Sequence, residues 1–215
     1  MDKESEEFKE ESEETETRIP AETEIIPEET EPKDKPVRKR KPISIILELL
    51  TYAVIVYACV YLIPTYVMQR TIVDGPSMLD TLHDNESLLV DKFYYKIGGL
   101  NRFDIIVFYP HGRGDEEYYV KRIIGLPGET IQIIGSDIYI NGEVLDEHYG
   151  KDPIDDPGIA AEPITLGDNE FFVLGDNREI SLDSRYEDVG LVSGKNIGGR
   201  AMIRIWPLNK FGLID

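Results

Sequence analysis

The chain has 215 residues, 23 of them basic and 42 acidic, and its formal net charge is −19. This length allows one domain of ordinary size or two small ones. The acidic excess argues against nucleic-acid binding, which requires a basic face, and the single cysteine, Cys59, excludes an internal disulfide framework, a CxxC redox pair and a thiolate zinc site.

Residues 1–34 are the most acidic segment, with 15 acidic and 4 basic side chains. They are rich in Glu, Thr, Pro and Ser and contain few large apolar residues. Such a segment cannot bury enough surface to offset its chain entropy, so we expect it to be disordered, either as a solvated tail or as a docking segment. Five Lys and Arg residues follow within residues 35–41. We predict that residues 1–41 form a tail outside the folded domain.

A mostly apolar run follows over Ile43–Ile63, with the sequence ISIILELLTYAVIVYACVYLI. Its 21 residues would extend about 31 Å as a helix, which matches the hydrocarbon thickness of a bilayer. Glu48 lies near the basic end, where snorkelling or protonation makes a carboxyl group tolerable. The run is longer than the core of a usual signal peptide and a long polar segment precedes it. We therefore predict an uncleaved transmembrane anchor over residues 42–66.

The charges that flank this run predict its orientation. Residues 35–41 place five cations before it, whereas Arg70 is nearly alone after it. The positive-inside rule then puts the N-terminus in the cytoplasm and residues 67–215 outside, with Tyr61 and Tyr66 at the outer interface. We expect a single-pass protein of the cell membrane that works on the outer face.

Residues 67–215 are predicted to form a mainly β domain. Six short segments are rich in Ile, Val, Tyr or Phe, as strands are: Asp104–Tyr109, Tyr118–Ile124, Thr130–Ile134, Ile138–Ile140, Phe171–Leu174 and Ala201–Trp206. The segment shows no clear amphipathic helix and no internal repeat. The predicted fold class is a small β-barrel or β-sandwich tethered by one N-terminal transmembrane helix.

Two turn signals and one long loop separate these strands. Asn141-Gly142 predicts a type I′ hairpin turn, and Pro127-Gly128 predicts a type II turn. Residues 150–168 are rich in Pro and Gly and poor in apolar residues, so we expect a long surface loop there.

Common catalytic and metal-binding motifs are absent from the sequence. His83, His111 and His148 show no ligand spacing and lie in polar, turn-like stretches, which favours surface positions. A Ser-His-Asp triad would have to be assembled from distant residues. The sequence also lacks a Walker loop and a dinucleotide fingerprint, and we expect neither a metal nor a cofactor.

A first segment of interest is Val73–Leu82, with the sequence VDGPSMLDTL. Gly75 and Pro76 before Ser77, and Met78 after it, fit a tight turn that presents a hydroxyl just above the bilayer beside an exposed methionine. Many loops contain Gly-Pro-Ser, so this motif alone is weakly specific.

A second segment, Tyr118–Glu129 (YYVKRIIGLPGE), places Tyr119, Lys121 and Ile123 on one face by strand alternation. Lys121 is then either a charged residue that protects a sheet edge or a buried amine whose pKa is lowered. A neutral amine can act as a general base, and a Ser–Lys pair is an attested variant of the activated serine.

A third segment, Leu174–Tyr186 (LGDNREISLDSRY), contains two Asp-x-Arg pairs, Asp176/Arg178 and Asp183/Arg185, around a serine. One interpretation is a polar loop with local Asx turns and ion pairs. The other is a scaffold that fixes catalytic groups.

Together these segments resemble the sequence boxes of bacterial type I signal peptidases, or leader peptidases, which use a Ser/Lys dyad. The matching patterns are G-x-S-M-x-x-T-L after a transmembrane span, then Y-V-K-R-I-I-G-L-P-G-E, then G-D-N-R-x-x-S-x-D-S-R. Arg102–Phe108 resembles a further box. The resemblance covers about residues 69–206 in the order of the family, and the single span is similar to the Gram-positive members.

The resemblance implies a β domain of the signal peptidase type and a membrane-bound serine endopeptidase that cleaves signal peptides from exported preproteins after small residues. By position, Ser77 matches the nucleophile, Lys121 the general base and Ser181 the hydroxyl that orients the lysine amine. The structural ion-pair positions match Asp176, Arg178, Asp183 and Arg185, with Arg122 as a partner of Asp176.

The family also implies an oxyanion hole that includes the backbone N–H of Ser77. Some members add a serine hydroxyl two residues earlier, where this chain has Gly75. Two further departures leave the dyad untouched: Asp80 and Phe103 stand where the family usually has Pro and Gly. Shallow apolar pockets for small residues are expected from the strands before Ser77 and around Asp104–Tyr109.

The partners implied are preprotein substrates and the lipid bilayer, without nucleic acid, and we expect a monomer. Two alternatives stay open at this point. One is a self-processing protease with the same dyad and β-fold, as in the repressors of the DNA-damage response. The other is a non-catalytic membrane-tethered β-module that assists surface protein assembly.

Overall fold

The computed structural model describes residues 42–114, 117–150 and 152–214. The predicted acidic and basic tail over residues 1–41 lies outside the described residues. The described part contains a long N-terminal helix followed by a mainly β domain, which is the fold class predicted from the sequence.

The N-terminal helix forms from the apolar run. Helix α1 spans Pro42–Tyr57, and the chain continues in π-helical geometry over Ala58–Val67. A proline lies inside this continuation, and the backbone N–H of Met68 bonds to the carbonyl of Ile63, the i to i−5 pattern of a π-helix. Among the described helices, only Ile43–Val67 is long and apolar enough to cross a membrane, with 25 residues and a mean hydropathy of 2.2.

The β domain consists of short strands joined by turns. In chain order the strands are β1 Met68–Ile72, β2 Ser87–Asp91, β3 Ile105–Phe108, β4 Tyr119–Gly125, β5 Thr130–Ile134, β6 Asp137–Ile140, β7 Glu143–Val144, β8 Ile164–Thr165, β9 Glu170–Leu174, β10 Val192–Ser193, β11 Ile197–Trp206 and β12 Gly212–Leu213. A short helix, α2 Tyr95–Gly98, lies between β2 and β3, and 3-10 turns occur at Gly158–Ala161, Gly194–Asn196 and Leu208–Lys210.

The strands form two antiparallel sheets. The larger sheet has the order β1-β2-β11-β3-β4-β9-β10, with β12 paired to β11, and it curls into a half-barrel. The smaller sheet has the order β7-β6-β5-β8. Strand β4 is central in the larger sheet, between β3 and β9, so both of its edges are covered by neighbouring strands.

Buried apolar residues fasten the loop between β1 and β2 to the larger sheet. Val73, Met78 and Leu82 of this loop pack with Leu88 of β2 and Ile105 of β3. Full burial of such a side chain stabilises the fold by roughly 1.5–3 kcal/mol. Three loop side chains in one core cluster therefore hold this loop firmly in place.

Most of the predicted strands are confirmed, with ends that shift by a residue or two; the strand predicted at Ala201–Trp206 begins earlier, at Ile197. The type I′ turn is confirmed by positive φ angles of 54° at Asn141 and 85° at Gly142. Gly128 has a φ of 80°, as the third position of a type II turn requires.

The prediction of a plain surface loop over residues 150–168 is wrong in its central part. Ile154 and Ala160 are buried in the core cluster against the smaller sheet, and Ile164–Thr165 forms β8 beside β5. The few apolar residues of this segment complete a core that the short strands of the smaller sheet cannot fill alone.

Candidate active site

The loop between β1 and β2 carries Ser77. The backbone N–H of Val73 donates to the carbonyl of Glu86 at 2.8 Å, which closes the base of the loop. Met78 is only 1% exposed, so the prediction of an exposed methionine is wrong. It packs into the core beneath the loop, and both Met78 and its neighbour Ser77 line a cavity.

Lys121 reaches the same place from β4, where it lies opposite Ile106 of β3. Because β4 is a central strand, the interpretation of Lys121 as the guard of a sheet edge is wrong. Its side chain is buried, with 4% of its surface exposed. The Nζ atom lies 2.7 Å from Ser77 Oγ and 5.4 Å from the ring centre of Tyr119. The fold thus brings an amine and a hydroxyl from two separate elements into hydrogen-bond contact.

Burial lowers the pKa of Lys121 from 10.5 to about 8. Removal of water disfavours the charged ammonium group. The carboxylates of Asp183 and Asp176 act in the opposite direction, but each of them is already paired with an arginine. An amine with this pKa is partly neutral near pH 7.5 and can then accept a proton.

The segment between β9 and β10 holds the backbone of the serine loop. The backbone N–H of Asn177 donates to the carbonyl of Ser77 at 3.0 Å, and its side-chain Nδ2 donates to the carbonyl of Pro76 at 3.3 Å. A Cβ atom at Gly175 would collide with Ser181 Oγ and with the carbonyl oxygen of Ser77. This close approach requires a glycine at position 175.

Ser181 lies in this segment with 2% of its surface exposed. Within the described chain its hydroxyl has no hydrogen-bond partner, so the bond to Lys121 that the family resemblance implies is not formed here. An unpaired buried hydroxyl is costly. The orienting role of Ser181 stays a prediction.

Two buried ion pairs surround the serine and the lysine. Arg122 Nε and Nη2 donate to the two oxygens of Asp176 at 2.9 and 2.8 Å, and both side chains are fully buried. Arg185 Nε and Nη2 donate to the two oxygens of Asp183 at 2.9 and 3.0 Å. Thr81 Oγ1 also donates to Asp176 at 2.6 Å. The serine loop is therefore tied to β4 through one shared carboxylate.

The spacing of Asp176 and Arg178 in the sequence predicted an ion pair between them. In the described part of the chain this pair is not formed. Arg178 instead pairs with Glu147, through Nη1 at 2.6 Å and Nη2 at 2.9 Å, and its Nε donates to the carbonyl of Gly175 at 3.0 Å. The chain turns after Asp176, and the two side chains pair with different residues. Arg178 therefore supports the backbone at Gly175 and does not contact the carboxylate of Asp176.

The backbone at Ser77 leaves one donor free. Within the part of the chain that the structure describes, the N–H of Ser77 donates to no acceptor. Two residues earlier, the N–H of Gly75 donates to Asp84 Oδ1 at 2.9 Å, and the φ of Gly75 is +88°, which favours glycine. A free N–H beside the serine hydroxyl is the type of donor that stabilises an oxyanion.

The serine and the lysine line an open cavity of about 470 Å³. Val73 and Met78 contribute apolar walls, and Ile180 and Leu182 lie at its partly exposed rim. No residue of Asp104–Tyr109 lines this cavity. Val107 and Tyr109 line a second recess of about 140 Å³, and Tyr118 lines both. The role of this segment in pockets for small residues stays a prediction.

Several residues of the site were not singled out from the sequence. Asn177 and Thr81 lie within the sequence patterns that resemble the family. Nothing else in the local sequence marks them as residues of the site. Glu147 and Tyr149 lie outside those patterns; the guanidinium carbon of Arg122 lies 3.6 Å from the ring centre of Tyr149. Only the folded chain brings them to the site.

A mainly β domain that places a serine hydroxyl beside a buried, weakly basic amine at an open cavity has the arrangement of a peptidase. The family model described as "Signal peptidase, peptidase S26" matches residues 46–206. The chain belongs to this family, and the resemblance predicted from the sequence is confirmed.

Individual relatives cover most of the chain. It is 40% identical to "Signal peptidase I" of Leptolyngbya laminosa, over 70% of this chain and 74% of the relative. It is 37% identical to "Signal peptidase I S" of Bacillus subtilis (strain 168), over 83% of this chain and 97% of the relative. A crystal structure of a signal peptidase I from Enterococcus faecalis V583 is 34% identical and covers 47% of this chain and 95% of that chain, with a TM-score of 0.36.

Proposed function

We propose that this chain is a membrane-bound serine endopeptidase that cleaves N-terminal signal peptides from exported preproteins after small residues. The observation that carries the proposal is the 2.7 Å contact between Ser77 Oγ and the buried Nζ of Lys121. Membership of the signal peptidase family supports the choice of substrate.

In the proposed first step, neutral Lys121 accepts the proton of Ser77 as Oγ attacks the scissile carbonyl carbon. The negative charge that develops on the carbonyl oxygen is stabilised by the free N–H of Ser77, a contribution of a few kcal/mol. The ammonium group of Lys121 then gives its proton to the leaving amine. A water molecule activated by the same amine hydrolyses the acyl-enzyme and restores Ser77.

The surrounding residues position these groups rather than react. Asn177 fixes the carbonyls of Pro76 and Ser77, and this fixes the direction of the Ser77 N–H. In this proposal a small rotation of Ser181 brings its hydroxyl to the amine of Lys121 when substrate is bound. Catalytic hydrogen bonds that are long or poorly aligned in a free enzyme often shorten when substrate binds.

The position of Ser77 in the chain fits a substrate that is itself anchored in a bilayer. Strand β1 begins directly after the helix Ile43–Val67, so the cavity is connected to the anchor through one short strand and a loop. With the basic cluster at residues 35–41 in the cytoplasm, the catalytic domain lies outside the cell membrane. There the proposed monomer meets preproteins as they leave the secretion machinery.

The proposal is tested by incubating the full chain in detergent with a preprotein that carries small residues at positions −3 and −1 of its cleavage site. We expect one cut after position −1, and no cut by the Ser77→Ala variant, which removes only the nucleophilic oxygen. Cleavage by Ser77→Ala at the parent rate, or no cleavage by a folded parent, would contradict the proposal. The second result would favour the non-catalytic β-module.

A further inference from the structure

Three cations gather beside the outer end of the long helix: Lys92, Lys96 and Arg113. Burial, and then the charges of Arg113 and Lys96, lower the pKa of Lys92. Among the residues that the structure describes, none of the three forms an ion pair with a carboxylate. Residues 42–215 contain 27 acidic and 14 basic side chains, so three cations that have no paired carboxylate among the described residues contrast with the acidic composition of the domain.

Two of these cations lie in a short segment, residues 92–97, that we call the basic–aromatic turn. Its position beside the helix is fixed through the backbone. The N–H of Lys92 donates to the carbonyl of Val67, the last residue of the helix, at 2.9 Å. Directly before the turn, Asp91 pairs with Met68 in the β1–β2 ladder. If the helix spans a bilayer, the turn lies at the boundary between acyl chains and headgroups.

The turn is rigid at its base and apolar at its surface. The fully buried carboxylate of Asp91 accepts hydrogen bonds from the N–H groups of Phe93 and Tyr94 at 2.9 and 2.8 Å. The side chains of Phe93, Tyr94 and Ile97 are nevertheless 46%, 60% and 73% exposed. Aromatic residues with lysines beside them are typical of membrane interfaces.

Two of the three cations also share a recess. Lys92 and Arg113 line a cavity of about 140 Å³ together with Gln69 and Tyr109. The Nζ of Lys92 donates to Gln69 Oε1 at 3.1 Å, and Arg113 Nε donates to the carbonyl of Lys195 at 2.6 Å, so both cationic groups are held in place. The recess has room for one phosphate group between two positive charges.

We propose that the basic–aromatic turn and Arg113 bind the phosphate of an anionic phospholipid headgroup in the leaflet that the catalytic domain faces. Lys92, Lys96 and Arg113 supply the charge, while Phe93, Tyr94 and Ile97 enter the interface. This contact would hold the catalytic domain, and with it Ser77, at a fixed height above the bilayer. The inference rests on the part of the proposed function that places the helix across a membrane, and it does not require cleavage activity.

The test measures which lipid contacts the turn in the full chain. The chain has one tryptophan, Trp206, so a protein with the substitutions Trp206→Phe and Tyr94→Trp reports from the turn alone. The protein also carries Ser77→Ala, so that lipid binding is measured without any contribution from cleavage. It is reconstituted in phosphatidylcholine vesicles that contain either brominated phosphatidylcholine or brominated phosphatidylglycerol. The quenching of the fluorescence of the introduced tryptophan by each lipid gives their relative binding constant.

We expect phosphatidylglycerol to be preferred at least fivefold, because a lysine near an anionic surface contributes on the order of fivefold in binding. Lys92→Gln with Lys96→Gln should lower the preference severalfold and leave only the contribution of Arg113. If that double variant fails to fold, Lys96→Gln alone, at an exposed position, should still lower it severalfold. The matched control Lys210→Gln removes a lysine in the turn after β11 and should keep the parent preference.

Three results would overturn the proposal. Equal quenching by both lipids would show that no headgroup is selected. Absence of quenching by either lipid would show that the turn does not reach the bilayer. Loss of the preference in millimolar inorganic phosphate, but not in chloride of equal ionic strength, would assign the recess to free phosphate instead of a lipid.

Discussion

Replacement of Lys121 by methionine tests the proposed base and the cost of burying it. Each pKa unit corresponds to about 1.4 kcal/mol, so lowering the pKa of Lys121 from 10.5 to about 8 costs the folded state about 3 kcal/mol. The cost is complete below pH 8, where the buried amine is charged. It fades between pH 8 and pH 10.5, because there the unfolded chain binds more protons than the folded chain and stability rises with pH.

Methionine keeps most of the volume of the lysine stem and removes the ionisable group. It also removes the hydrogen bond to Ser77, which is worth about 1 kcal/mol. We therefore expect Lys121→Met to raise the free energy of unfolding at pH 7 by roughly 1–3 kcal/mol, an advantage that disappears above pH 10.5. The same variant should have no measurable cleavage activity, because the group that accepts the proton of Ser77 is gone.

The assay is guanidinium unfolding of the detergent-solubilised protein from pH 6 to pH 11, followed by the fluorescence of Trp206. Lys195→Met, at an exposed position, is the matched control and should follow the parent at every pH. Parent activity should rise with pH through about 8, the value for Lys121. Retained cleavage by Lys121→Met, or a loss of stability greater than 1 kcal/mol at pH 7, would refute the assignment of Lys121 as a buried base.

Three further predictions concern the lysine, the glycine beside it and the topology. Lys121→Arg should be inactive in the cleavage assay at any pH up to 10, because a guanidinium does not give up its proton; activity that rises with pH would contradict this. Gly175→Ala should lower kcat at least tenfold, because its Cβ would push the segment away from the Ser77 carbonyl, and parent kcat would show that this contact is unimportant. In a Cys59→Ser chain, a cysteine at the exposed position Glu162 should react with a membrane-impermeant maleimide on intact cells, whereas a cysteine within residues 1–34 should not; the reverse pattern would overturn the orientation.

Two of the predicted strands, β3 and β9, have side chains that are buried on both faces. In β3 and β9, almost every residue is β-branched or aromatic and almost every one is buried, so composition alone indicates a strand. Strand β1 was missed because it lies at an edge and only Thr71 of its residues is buried. Its sequence, MQRTI, therefore lacks both alternation and a dense apolar run. Local patterns of apolar residues in the sequence indicate which strands are buried, and an edge strand has few buried residues.

The candidate site was predicted from the sequence only through the family resemblance. No local rule places Ser77 beside Lys121, because the contact depends on the pairing order of the larger sheet. Spacing was misleading for Arg178: residues two apart share a face in a strand, but the chain turns there and Arg178 meets Glu147 instead. Contacts between distant segments are set by topology, and periodicity carries little information about it.

The charges around Lys121 explain how one buried amine can act as a base. Two carboxylates, Asp183 and Asp176, lie near enough to favour its charged form, but burial outweighs them. Arg122 and Arg185 neutralise them through two-point hydrogen bonds at buried positions, so burial remains the dominant influence on the lysine. The result is a pKa of about 8, which gives roughly a quarter of the neutral amine at pH 7.5, compared with about 0.1% at a pKa of 10.5. A pKa one unit lower would raise the neutral fraction at pH 7.5 only about threefold and would weaken the base, so a pKa of about 8 keeps Lys121 both available and basic near neutral pH.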